Sequence, residues 1–274
     1  MPDWQDGFVA TNGIRMHYWR TGAGERTPVV FSHGGSDNGL CWTRAARALE
    51  DNYDVIMVDA RGHGLSDKTG TDYGPLQSAA DLAGLIQGLG LDRPHLVGHS
   101  MGGEISSNCA AKYPDLPRSL VILDSAFIGN SGPWASRADE SGERLAAFRD
   151  RAEQMRSLGM EGLLRLVEAE NPHWHPDERE PWAQSKLQAS PEVGAFFSQA
   201  KRPWKEIISA ITCPILLMVA EPDLGSHTQW EAAVQATGIW REGSLVHIPG
   251  AGHNLQRDRY DLFISRLTEW LSAH

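Results

Sequence analysis

Long apolar runs are missing from this chain. None approaches the roughly 18 consecutive residues a membrane helix requires, so no membrane partner is expected. Cysteine is scarce, with only Cys41, Cys109 and Cys213. Their odd number and wide spacing argue against a disulfide framework and suit a reducing compartment. Basic residues are outnumbered, 25 Lys and Arg against 35 Asp and Glu, for a formal net charge of −10. That balance repels nucleic acid and anionic membranes, and neither is expected to bind. The opening segment "MPDWQDGFVATNG" lacks the basic-then-apolar order of a secretory signal, which makes the cytoplasm the expected compartment. No repeat or biased tract is visible. What remains, 41% hydrophobic and 22% charged over 274 residues, suits one α/β domain with an insertion.

Six short runs rich in Val, Ile and Leu punctuate the chain: "PVVFSH" (28–33), "DVIMVD" (54–59), "HLVGH" (95–99), "SLVILD" (119–124), "PILLMVA" (214–220) and "SLVHIPG" (244–250). Apolarity without alternation marks strands covered on both faces, as in a mostly parallel sheet. Helical candidates at 41–50, 76–90, 102–113, 227–237 and 257–272 lie between or after them, which predicts a doubly wound α/β sheet. Ahead of these, "FVATNGIRMHYWRTG" reads as a hairpin, because Asn12-Gly13 suits a type I′ turn. From about Phe127 to Lys205 the alternation stops, leaving helix-like segments, prolines and charges. The expected organisation is therefore a core at 1–126, a helical cap inserted at 127–205, and the rest of the core at 206–274.

In open α/β sheets, ligands bind beyond the carboxyl ends of the strands. The strand ends here carry His33-Gly34-Gly35-Ser36, Asp59, Ser100, Asp124, Asp223 and His253. Ser100 lies in Gly98-His99-Ser100-Met101-Gly102, where a strand must turn sharply into a helix. Such a turn thrusts the hydroxyl over the sheet edge, and the glycines remove side chains that would collide with neighbouring backbone. The helix beginning at Met101 points its free N–H groups at charge developing on a substrate oxygen. Ser100 is the expected nucleophile.

The motifs "FSHGGSD" (31–37), "DARGHGLSD" (59–67), "GHSMGG" (98–103), "AEPD" (220–223) and "GAGHN" (250–254) together resemble the α/β-hydrolase fold superfamily. The resemblance runs nearly end to end except through the cap. It implies that His253, in the glycine-rich loop before the last helix, is the general base for Ser100. It implies that His33 and His99 brace the loop and the elbow, and that the "DARGHGLSD" segment, with Asp59, Arg61 and His63, is architecture. For the acid behind the base it offers two residues. Asp223 is preferred, in the position most of the superfamily uses, although Ala220 stands where glycine is usual. Asp124, closing the preceding strand, is the alternative. The oxyanion donors implied are the backbone N–H groups of Gly35 and Met101. His247 reads as a structural strand residue. His173 and His175 in "NPHWHP" supply no third ligand, so neither a metal nor a cofactor is expected.

Trp134, Trp174 and Trp182 fall in the expected cap and Trp42 follows the oxyanion loop, which makes them candidate contacts for a hydrophobic small-molecule substrate. A serine elbow, where the epoxide hydrolases and haloalkane dehalogenases of the superfamily use aspartate, points to an ester or lactone hydrolase working through an acyl-enzyme. Carbon–carbon hydrolases of ring-cleavage products and cofactor-free haloperoxidases share the triad. They differ in usual neighbours, for this chain has His99 before the serine and Asn254 after the base. A receptor with vestigial activity is the alternative from another class.

Overall fold

The computed structural model describes residues 4–70, 72–129, 141–199 and 201–274. The chain opens on a hairpin, β1 (Gln5–Thr11) and β2 (Ile14–Arg20), whose turn residues Asn12 and Gly13 both have positive φ, 44° and 80°. That is the type I′ geometry Asn-Gly favours. Next come β3 (Pro28–Ser32), α1 (Thr43–Leu49), β4 (Asp54–Val58), α2 (Pro75–Gly88), β5 (His95–His99), α3 (Met101–Lys112) and β6 (Ser119–Leu123). Five helices follow without a strand among the described residues: α4 (Ser141–Ser157), α5 (Gly159–Glu170), α6 (Pro176–Gln188), α7 (Ala195–Ser198) and α8 (Trp204–Ala210). The sheet resumes with β7 (Ile215–Val219), α9 (Trp230–Thr237) and β8 (Gly243–His247), and the chain ends in α10 (Leu255–Asp258) and α11 (Tyr260–Ala273).

The eight strands form one sheet in the order β1-β2-β4-β3-β5-β6-β7-β8. It is parallel from β4 through β8, and β2 joins β4 antiparallel. Every residue of β3, β4, β5, β6 and β7 is buried, which is why those strands read as continuous apolar runs. Alternate residues serve opposite faces. Val30, Ile56, Leu96 and Leu120 pack with α2, α3, α8 and α9, while Val29, Phe31, Val97 and Val121 pack with α1 and α11. This is the doubly wound α/β-hydrolase architecture. A third, smaller cluster lies within the helices between β6 and β7 and contains Met155, Leu163, Val167, Trp174 and Trp182. All three cysteines are free and buried, and burial pushes their thiols up to about 12. No helix is long and apolar enough to cross a membrane among the described residues.

Candidate active site

The strand-to-helix turn after β5 holds Ser100 at φ 51° and ψ −114°, a backbone conformation that a non-glycine residue seldom adopts. The glycines around it answer to close backbone approach. A Cβ at Gly102 would overlap the carbonyl oxygens of Ser32 and His33, and one at Gly98 would overlap that of Gly102. The turn is pinned on the other side, where Ser100 N–H donates to the Leu123 carbonyl at 2.9 Å and the Ser125 hydroxyl to the Ser100 carbonyl at 2.5 Å. Strain at Ser100 is thus held by strands β3 and β6 together.

His253 reaches the same place from the loop before α10. Its Nδ1 lies 2.8 Å from Asp124 Oδ2, and His253 and Ser100 line one cavity of about 260 Å³. With Asp124 ionised, Nδ1 carries the proton and donates it to the carboxylate, which leaves the Nε2 lone pair available as a base. Asp124 is fully buried and accepts further hydrogen bonds from His227 N–H at 2.8 Å, the Ser226 hydroxyl at 2.6 Å and Thr228 N–H at 3.2 Å. Burial by itself would raise its pKa. The His253 hydrogen bond and charge, with those donors, overcome burial and hold it at about 2.

Of the two acids the sequence offers, the structure brings the alternative, Asp124, to the imidazole and not the preferred Asp223. Asp223 is exposed in a 3₁₀ turn, Pro222–Leu224, and the carboxylate on the imidazole is that of Asp124. The loop after β7 gives the reason: its residues Ser226, His227 and Thr228 donate to Asp124, while Asp223 faces solvent.

Three other histidines support the assembly. His99 Nε2 donates to the His253 carbonyl at 2.9 Å, bracing the elbow against the histidine loop. His33 Nδ1 donates to the Gly34 carbonyl at 2.8 Å, and its Nε2 accepts from Ala60 N–H at 3.1 Å. His227, which sequence reasoning did not single out, stacks on His253 with ring centroids 3.4 Å apart. The His99 ring lies 4.7 Å from that of His253, centroid to centroid. Burial, and then the nearby His253, lower His227 to about 4 and His99 to about 3. Both rings are neutral near pH 7, so His253 can take a proton without a charged imidazole beside it.

Gly35 lies in the loop after β3, lines the cavity, and sits close to Phe197, whose Cζ would be 3.1 Å from an added Cβ. Met101 is the first residue of α3, with its side chain buried. Neither backbone N–H is paired to an acceptor among the described residues.

The tryptophans divide. Trp182 lines the cavity. Trp42 does not: it is buried against Phe31, centroids 4.8 Å apart, and Phe263. Trp174 is buried in the inter-strand helices, donating to Asp258 Oδ1 at 2.7 Å. Trp134 lies outside the described residues. Instead Phe148, Phe197 and Trp182 provide the rings, and Arg151, Lys186, Arg257 and Asp37 provide charge that the sequence reading did not anticipate. The lining is mixed rather than hydrophobic. His173 contacts Asp258 at 3.1 Å and His175 caps α6, while Asp59 accepts from Gly39 N–H at 2.7 Å, Leu65 N–H at 2.9 Å and His17 at 2.9 Å.

The buried imidazoles also set the acid response. His63 is lowered to about 3 and His95 to about 4, burial first among the causes. With His99 and His227, they bind protons in the unfolded chain below about pH 6.5 but in the folded protein only far lower. The unfolded state therefore takes up more protons across that window, and stability falls as pH falls. Asp124 acts in the same direction further down, between about pH 4 and 2; His17, raised by Asp59 and Asp6 despite its burial, opposes. The thermal midpoint is expected to drop by about 5 °C or more between pH 7 and about pH 4.5. A flat or rising midpoint in differential scanning fluorimetry would contradict this.

Residues 29–266 match the Alpha/beta hydrolase family, and the chain belongs to that family. N-formylmaleamate deformylase of Pseudomonas putida is 30% identical over 270 residues, covering 97% of this chain and 96% of that protein. Epoxide hydrolase 1 of Caenorhabditis elegans is 23% identical over 296 residues, 99% of this chain and 71% of that one. The structure of a malate-bound thermophilic esterase from Thermogutta terrifontis superposes with TM-score 0.76 at 26% identity, covering 98% of each chain. These names span different bonds. The protein is a hydrolase of this family acting on a small molecule.

Proposed function

We propose that the protein hydrolyses a carboxylic ester or lactone of a small molecule through an acyl-enzyme on Ser100. In this reading His253 Nε2 removes the Ser100 proton as Oγ attacks the carbonyl, and Asp124 stabilises the imidazolium. The N–H groups of Gly35 and Met101 receive the oxyanion. Collapse of the tetrahedral intermediate expels the alcohol, which takes the proton from His253. A water molecule, deprotonated by the same imidazole, then frees the acid and restores Ser100. Helices α4 to α7, within 127–205, act as the cap: Phe148, Trp182, Lys186 and Phe197 come from them. The 2.8 Å contact between Asp124 and His253, at the cavity that Ser100 lines, is the observation that carries the proposal.

A second reading shares every step but places nitrogen in the leaving group. It is favoured by the near full-length match to N-formylmaleamate deformylase. A panel of esters, lactones and N-acyl compounds separates the two. Faster turnover of esters and lactones supports the first; exclusive turnover of N-acyl compounds supports the second. Absence of turnover across all three, with no acylation of Ser100 by an activated ester, would overturn both.

A further inference from the structure

Basic side chains gather in the cavity beside Ser100, in a chain whose formal net charge is −10. Among the described residues three basic side chains line it, Arg151, Lys186 and Arg257, against one carboxylate, Asp37. Asp37 is already committed. Lys186 Nζ stands 2.7 Å from one of its oxygens and Arg257 Nη2 2.9 Å from the other, all three groups being buried. Burial opposes ionisation of Asp37, but Arg257 and then Lys186 keep its carboxyl well below the usual carboxylate range. Behind Arg257 stands Glu178, Oε2 at 3.6 Å from Nε, whose own pKa burial raises.

Asp37 and Glu178 thus answer Lys186 and Arg257, and among the described residues the lining cation left without a carboxylate partner is Arg151. Its Nη1 donates to Gln154 Oε1 at 3.1 Å, and it has no ion pair among the described residues. It is also exposed on α4, one helical turn after Phe148, so its guanidinium can move without losing a buried partner. A guanidinium presents paired N–H donors that match a carboxylate, and a narrow cavity strengthens the field of an excess cation.

We infer that the substrate is an acyl compound bearing a second, free carboxylate, which pairs with Arg151 while Ser100 attacks the scissile carbonyl. This rests on the acyl-enzyme reading above. It places half-esters of dicarboxylic acids, carboxylated lactones and their amide counterparts ahead of neutral esters. The rings of Phe148, Trp182 and Phe197 would then contact the carbon skeleton between the two polar ends.

The experiment measures initial rates of Ser100 labelling by a neutral fluorophosphonate on the whole protein, with monomethyl succinate or dimethyl succinate as competitor. The half-ester is expected to protect at a concentration about tenfold lower than the diester, equivalent to about 1.4 kcal/mol. That advantage should shrink to about twofold or less in Arg151→Gln, be largely retained in Arg151→Lys, and weaken in 0.5 M NaCl. Equal protection by the two competitors, including none by either, would overturn the inference while leaving the serine chemistry intact. An Arg151→Gln protein with the full advantage would remove Arg151 from it. Failure of the probe to label Ser100 at all would instead strike the acyl-enzyme reading itself.

Discussion

Replacing Asp124 with asparagine is expected to lower kcat by about 10⁴-fold, whereas Asp223→Asn should stay within about twofold of the wild type. The amide can keep contact with the imidazole, but its NH₂ donates where a carboxylate accepts. That favours the tautomer with the proton on Nε2, the atom that must receive the Ser100 proton, and removes the charge that balances the imidazolium. Some destabilisation is expected as well. Asp124 is buried, and the amides of His227 and Thr228 and the hydroxyl of Ser226 all point at it. Losing a charge-assisted acceptor costs about 1.5–3 kcal/mol. Circular dichroism and thermal melts on both variants separate a folding defect from a catalytic one. A folded Asp124→Asn enzyme with near wild-type kcat would show that the contact to His253 is only structural.

Ser100→Ala should remove about 10⁴–10⁶-fold from kcat, with KM little changed, because the hydroxyl acts in the covalent step rather than in ground-state binding. A His253→Ala variant should fall to a similar level, and the double variant little further, since groups that act as one unit are far from additive. Steady-state kinetics on whichever acyl substrate the panel identifies measure all three. If the double variant loses the product of the two single effects, Ser100 and His253 are working independently and the coupled mechanism fails. Ser100→Ala should also keep a normal fold: alanine fits the same space, and the hydroxyl itself carries none of the hydrogen bonds that pin the turn, which run through the Ser100 backbone.

The scaffold was legible in the sequence for a physical reason. Strands buried on both faces need unbroken apolarity, and Asn12-Gly13 tolerates the positive φ that a two-residue hairpin turn needs at both positions. The elbow was legible because backbone approaching backbone at Gly98 and Gly102 excludes any side chain. The acid was harder to read. Two aspartates end two adjacent strands, and the choice depends on how the loop after β7 folds: its residues Ser226, His227 and Thr228 wrap Asp124 while Asp223 turns to solvent. That path is a tertiary property.

The cavity lining was hidden for a similar reason. Arg151 and Lys186 sit on helices α4 and α6, whose polar composition fits a solvated face as readily as a lined site. Trp42 and Trp174 illustrate the converse, because a large ring near a site packs the core as easily as it meets a ligand.

What the whole account depends on is that Ser100 Oγ is made nucleophilic by an imidazole that the aspartate after β6 holds in place. The rate at which a fluorophosphonate modifies that oxygen, followed by intact mass in wild type, Asp124→Asn and Asp223→Asn, addresses it without knowledge of the substrate. Modification slowed by two or more powers of ten in the first variant alone is the predicted pattern. The opposite pattern, or equal rates in all three proteins, would contradict the account.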